Sequence, residues 1–151
     1  MYNRDNYLME VAEAVSKGSS DPSTKVGCVI VTEKYESVSF GYNDFITDCD
    51  RKLMTFERPQ KYMLIVHAEM NALIAAKRSI EGCRIYVTHA PCPNCLRNLI
   101  QAGVSEIVYG SFDTKGKLMD DTNTKVTEIL VKANKITFRS IDGKGFLNQI
   151  R

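Results

Sequence analysis

The chain has no tryptophan, only four prolines, and no apolar run approaching the roughly 20 residues that cross a bilayer. Its charges nearly cancel: 20 Lys and Arg stand against 18 Asp and Glu, leaving a net +2. That balance lacks the single-signed surplus by which a protein grips a phosphate backbone, and no nucleic-acid partner is expected. The opening residues Met1, Tyr2, Asn3, Arg4 and Asp5 are polar and form no signal-peptide core. Nine glycines without a repeat and a hydrophobic share of 44% exclude collagen-like and disordered chains. Five cysteines are an odd number, too few for a disulfide scaffold. Two of them form Cys-x-x-Cys, which in a chain without an export signal points to metal or redox chemistry. The expectation is a soluble cytoplasmic protein with no membrane contact, folded as one domain over residues 1–151.

Apolar residues recur at Leu8, Val11, Ala12 and Val15, the stripe of an amphipathic helix over 4–17. The run at 18–23 breaks it. Residues 25–32 and 37–41 are short β-branched stretches joined by four residues, the pattern of an antiparallel hairpin. From 42 to 66 there is little periodicity, and so long a connection is usually functional or disordered. A regular alternation follows: helix over 67–78, strand over 83–88, helix over 92–102 stopping at Gly103, strand over 106–109, helix over 124–134 and strand over 136–139. Such an order argues an α/β domain with helices on both faces of a sheet.

Two segments carry the chemistry: His67-Ala68-Glu69 and Pro91-Cys92-Pro93-Asn94-Cys95, each opening a helix after irregular chain. Cys92 and Cys95, three residues apart, share one face of a first turn. The positive end of a helix favours the thiolate form that binds metal. With His67 the set is one imidazole and two thiolates, which suits Zn²⁺. Three protein ligands are the number found in a catalytic zinc site, which keeps a fourth position for water. Glu69, two residues beyond His67, points elsewhere and can serve as a proton shuttle. The combination matches H-x-E…P-C-x-x-C, the signature of zinc-dependent nucleobase deaminases. A structural zinc would need a fourth ligand, and a non-catalytic zinc module would leave Glu69 without a task; a redox dithiol is the remaining reading.

The remaining candidates have bland readings beside sharper ones. Cys28 and Cys83 fall in strands and read as inert core thiols. Cys49 is a free thiol in the long connection or, as in some relatives, part of a second metal site. His89 either makes a structural hydrogen bond or lies near the substrate. Asp21-Pro22-Ser23 is a turn, from which Ser23 and Lys25 could also reach a phosphate. Leu53, Met54 and Phe56 either tuck in or cover a neighbouring subunit. Arg78 ends a helix, where a cation is favourable in any case.

The whole chain resembles the deoxycytidylate (dCMP) deaminases of the cytidine deaminase-like superfamily. The resemblance rests on Ser20-Asp21-Pro22-Ser23-Thr24-Lys25-Val26-Gly27, Gly41-Tyr42-Asn43, Arg58-Pro59-Gln60-Lys61-Tyr62, His67-Ala68-Glu69-Met70-Asn71-Ala72 and Thr88-His89-Ala90-Pro91-Cys92-Pro93-Asn94-Cys95. It implies a three-layer α/β/α fold with a central mixed sheet of about five strands. It also implies a homo-oligomer, commonly a hexamer, that converts dCMP to dUMP and ammonia. Activation by dCTP and inhibition by dTTP, with Mg²⁺ accompanying the triphosphate, follow from the same resemblance. Carried over by motif, His67, Cys92 and Cys95 hold zinc and Glu69 is the acid/base. Asn43 bonds the deoxyribose, Ala68 and the turn from Ser23 to Val26 line the base, and Phe112 packs on the pyrimidine. The resemblance makes Gly41, Tyr42 and Asp44 candidates for an allosteric or subunit-interface site; the family's turn often reads Gly-Tyr-Asn-Gly, whereas here Asp44 follows Asn43 and is a candidate for Mg²⁺ or effector binding. An arginine at the place of Arg78 lies at a subunit contact in this family. The rival readings are a zinc deaminase acting on tRNA or other nucleic acid, and a non-catalytic zinc module used for assembly.

Overall fold

The computed structural model describes residues 3–111 and 120–143. Five helices and five strands succeed one another as α1 (Arg4–Ser16), β1 (Gly27–Val31), β2 (Ser37–Tyr42), α2 (Lys61–Leu64), α3 (Ala68–Ala76), β3 (Arg84–His89), α4 (Pro93–Gln101), β4 (Glu106–Ser111), α5 (Asp121–Asn134) and β5 (Thr137–Ser140). The strands lie in the order β2-β1-β3-β4-β5. β1 pairs antiparallel with β2 and with β3, whereas β3–β4 and β4–β5 are parallel, so the sheet is mixed.

Alternation along the central strands builds two cores. Cys28, Ile30, Ile85, Val87, Ile107, Tyr109 and Phe138 face one side and meet Ala68, Ala72, Leu96, Leu99 and Val131 from α3, α4 and α5. Val29, Val31, Tyr86 and Val108 face the other side and meet Leu8, Met9 and Ala12 of α1. All five residues of β1 are buried because both faces are covered. The architecture is thus α/β/α, as the sequence and its resemblance imply. At the open end of the α1 layer, Asp5 accepts hydrogen bonds from Tyr86 Oη (2.7 Å) and Arg139 (2.9 Å). Arg139 and Arg84 in turn share Glu106, which ties the first helix to three strands.

Two close approaches set the distance between layers. A Cβ on Gly27 would lie 1.9 Å from Ala12 O, so α1 meets β1 backbone to backbone at that point. A Cβ on Gly41 would lie 2.4 Å from Ala72 N and 2.7 Å from Ala68 O, so α3 sits directly on β2. Gly41 therefore has a packing task, quite apart from the interface role that the resemblance implies.

The stretch 42–66 is less irregular than its sequence suggests. It holds a 3₁₀ turn at Arg51–Leu53, the single-turn helix α2, and a bridge between Asp44 and Val66. Phe45 and Phe56 stack at 4.2 Å, and the Arg51 guanidinium lies 4.8 Å above the Phe45 ring. Phe56 tucks in, whereas Leu53 is exposed. The helix expected over 67–78 ends at Ala76, because Lys77 adopts the left-handed conformation at its C-cap. Arg78 lies beyond the helix, exposed, bonded through Nε to the Ser79 carbonyl, and it does not cap α3. Expected to open at 124, α5 opens three residues earlier, capped by the Asp120 side chain accepting from Asn123 N. No helix among the described residues is long and apolar enough to cross a membrane.

Candidate active site

His67 and Cys92 occupy the N-cap positions of α3 and α4, and neither caps its helix with its side chain. Both side chains instead turn toward a shared point, joined by Cys95 from the first turn of α4. Pro93 opens α4 at a position where its missing N–H costs nothing. β3 ends at His89, so the site lies just outside the carboxyl end of a central strand, the usual place for a site in an α/β sheet. The two helix N-termini direct their positive ends at the sulfurs.

Among the described residues, the ligand atoms of His67, Cys92 and Cys95 form one cluster, all within 4.8 Å of one another. His67 Nδ1 lies 3.3 Å from Cys95 Sγ and 3.6 Å from Cys92 Sγ. Zn–N near 2.0–2.1 Å and Zn–S near 2.3 Å at a tetrahedral angle separate nitrogen and sulfur by about 3.6 Å. The donor set fits zinc in both identity and spacing. Its protonation agrees. Cys92 is driven well below its ordinary value by the hydrogen bond from Cys95, against burial and with help from His67. Cys95, the donor in that pair, is raised. His67 is raised above its ordinary value, first by its hydrogen bond to Cys92.

Glu69 is 4% exposed, in the first turn of α3, and outside the ligand cluster. Burial pushes its carboxyl up to about 7, with His67 pulling the other way. A carboxyl poised near neutrality beside a metal site is suited to taking and returning a proton.

Glu69, His67 and Cys92 line a cleft whose walls include Ala68, Asn43, His89, Val26 and Ile65. Of the expected substrate contacts, Asn43, Ala68 and His89 are therefore at the cleft. The Asn43 amide is engaged within the protein: Oδ1 accepts from Val26 N (2.8 Å) and Nδ2 donates to Thr24 O (2.9 Å). His89 Nδ1 lies 2.9 Å from Thr88 Oγ1, and burial holds its pKa below the ordinary value. Lys25 is not at the cleft. Its ammonium bonds the Ser19 carbonyl and its side chain borders a groove beside α1, whereas the adjacent Val26 lines the cleft. Ser23 is not on the wall either; its hydroxyl donates to Asp21 (3.0 Å) and accepts from Lys61 (2.8 Å). Phe112 lies outside the described residues.

The structure also brings to the cleft residues that motif reading did not single out as site residues: Asp21, Arg58, Lys61 and Tyr62. Arg58 and Tyr62 come from the long connection, with the guanidinium 5.7 Å from the ring centroid. The signal was a cation-and-aromatic cluster inside an otherwise aperiodic segment.

Gly41, Tyr42 and Asp44 border a second groove, which shares no lining residue with the cleft. Asp44 Oδ1 accepts from Ser20 Oγ (2.7 Å), Phe45 N (2.8 Å) and Arg51 (3.3 Å), so that oxygen fastens the loop. The Tyr42 ring lies against Gly18, where a Cβ would come within 2.5 Å of it. Cys28 and Cys83 are buried in the core, and Cys49 is half-buried; all five cysteines are free.

An α/β/α sandwich with a His-Cys-Cys metal set and a buried glutamate beside it defines a zinc-binding hydrolytic deaminase. Comparison with known proteins agrees. Residues 2–111 match the family described as the cytidine and deoxycytidylate deaminase zinc-binding region. Over 145 residues the chain is 33% identical to deoxycytidylate deaminase of Mus musculus, covering 91% of this chain and 79% of that one. It is 47% identical over 100 residues to an uncharacterized deaminase of Aliivibrio fischeri, covering 66% of this chain and 67% of the other. The apo crystal structure of dCMP deaminase from cyanophage S-TIM5 superposes with a TM-score of 0.71 at 25% identity, over 93% of this chain and 99% of that one. The chain belongs to the deoxycytidylate deaminase family.

Proposed function

We propose that the chain hydrolyses dCMP to dUMP and ammonia. The observation that carries this reading is the pairing of a buried proton carrier with a cationic mouth in a single cleft. Glu69 lies beside the ligand set, and the exposed Arg58 guanidinium has no carboxylate partner among the described residues. Held by His67, Cys92 and Cys95, zinc supplies activation of water at neutral pH. Glu69 takes a proton from the attacking water and delivers one to ring N3, which breaks the ring's conjugation at C4. As the water oxygen bonds to C4, Glu69 takes the remaining proton from that oxygen and passes it to the amine, and the C4–N bond breaks to release ammonia. Val26, Ile65 and Ala68 present an apolar wall to the base, and Asn43 holds the turn that completes it. Arg58, stacked with Tyr62, offers a planar fork for the 5′-phosphate.

The same reading includes control by dCTP and dTTP, with Mg²⁺, and a homo-oligomer, of which the hexamer is the expected form. A groove lined by Gly41, Tyr42, Asp44 and Lys77, separate from the cleft, supports an effector site. Exposed Phe40, Ile46 and Ile74 around it support a face covered by another subunit. We place the protein in the cytoplasm, which the free cysteines support. The deciding assay follows ammonia release or absorbance loss on dCMP, deoxycytidine and tRNA, with and without dCTP. Preferential turnover of dCMP is expected; turnover of tRNA alone overturns the reading.

A further inference from the structure

We propose that the buried ion pair between Lys61 and Asp21 is a positioning latch: it seats α2 so that Arg58 and Tyr62 meet the substrate's phosphate, and thereby sets the preference for nucleotide over nucleoside. The inference rests on the proposed phosphate role of Arg58. Asp21 is fully buried and Lys61 is 7% exposed, with Nζ 2.7 Å from Asp21 Oδ2 and 2.8 Å from Ser23 Oγ. The carboxylate is itself held on the turn before β1. Its Oδ1 accepts from the amides of Ser23 (2.9 Å) and Thr24 (3.2 Å), and Asn43 Nδ2 approaches Oδ2 at 3.5 Å.

α2 is a single turn of four residues. One turn cannot hold itself, because nucleating a helix costs more than its first hydrogen bond returns. Its place must come from contacts outside it, and the Lys61 side chain reaches the deepest of these. A pair of apolar side chains would fasten the segment at least as firmly, since taking two charges out of water offsets their attraction. What charges add is direction. The observed seating of α2 brings the ammonium to the carboxylate and the Ser23 hydroxyl together. Tyr62 follows Lys61 directly and Arg58 precedes it by three residues, so that seating fixes both at the cleft.

The alternative is that Lys61 itself grips the phosphate. Asp21→Asn separates the two readings, because it frees the ammonium from its partner. For a latch, Asp21→Asn and Lys61→Met each raise KM for dCMP by about ten- to a hundredfold, more than they lower kcat. The preference for dCMP over deoxycytidine falls at least about tenfold in both, and the double variant is no worse than either single one. Retained preference in Asp21→Asn alongside its loss in Lys61→Met overturns the latch, as does a parallel fall of kcat on both substrates. Should the charge-removing variants not fold, Ser23→Ala decides, since it deletes one acceptor and leaves the charges paired. A rise of about threefold in KM for dCMP is then expected, and unaltered KM overturns the latch. If the wild-type chain does not turn over dCMP, the functional reading fails and the latch with it; an active wild type with unaffected variants removes the latch alone.

Discussion

Gly41→Ala tests whether the seat of α3 on β2 sets both stability and catalysis. The added Cβ would stand 2.4 Å from Ala72 N and 2.7 Å from Ala68 O, whereas ordinary contact begins near 3.4 Å. Both atoms belong to helix backbone, so no side chain can swing aside and α3 must retreat by about 1 Å. Overpacking of this kind costs about 1–3 kcal/mol. For a chain of this length each kcal/mol lowers Tm by about 2–4 °C, so a fall of about 2–12 °C is expected by calorimetry. The same retreat carries His67 and Glu69 away from Cys92 and Cys95, which sit on a different helix. A displacement near 1 Å can cost about a hundredfold in rate, so dCMP turnover should fall steeply while zinc content falls less. A variant with wild-type Tm, altered only in its response to dCTP, would refute the packing argument and return Gly41 to the effector site.

Two further outcomes are expected. Glu69→Gln keeps the ligand set and should retain zinc, measured by metal analysis, while turnover falls by about 10²–10⁴-fold; near-normal turnover would remove its role as proton carrier. Asp5 is held below the ordinary carboxylate value: burial opposes this, but hydrogen bonds from Arg139 and Tyr86 outweigh it. Its contribution is therefore complete above the unfolded value near 3.8 and lost as pH falls through the lower folded value. Calorimetry should show Tm dropping below about pH 4, and Asp5→Asn should start lower at pH 7 and drop less on acidification.

Much of the fold was legible because its signals are local. The β-branched runs that become β1 and β3 alternate, and α1 and α4 carry apolar stripes that any nearby sheet would bury. The metal set was legible too, since Cys92 and Cys95 are one turn apart and His67 opens a helix. Residues 42–66 were opaque for the opposite reason. Nothing in their own order favours a turn at Lys61–Leu64; that turn depends on a carboxylate 40 positions earlier. Lys25 shows the converse failure: its neighbours Thr24 and Val26 are at the cleft, but its ammonium is bonded to the Ser19 carbonyl and its side chain borders a different groove.

The amino-acid order alone settled the chemistry: an imidazole, two sulfurs and a carboxyl at helix starts admit few uses, because ligand preference belongs to the side chains themselves. Tertiary structure alone settled the access. Which cations reach the cleft, why position 41 has no side chain, and what Asp21 holds all depend on residues distant in the chain, and distances across a fold are written in packing and not in local periodicity.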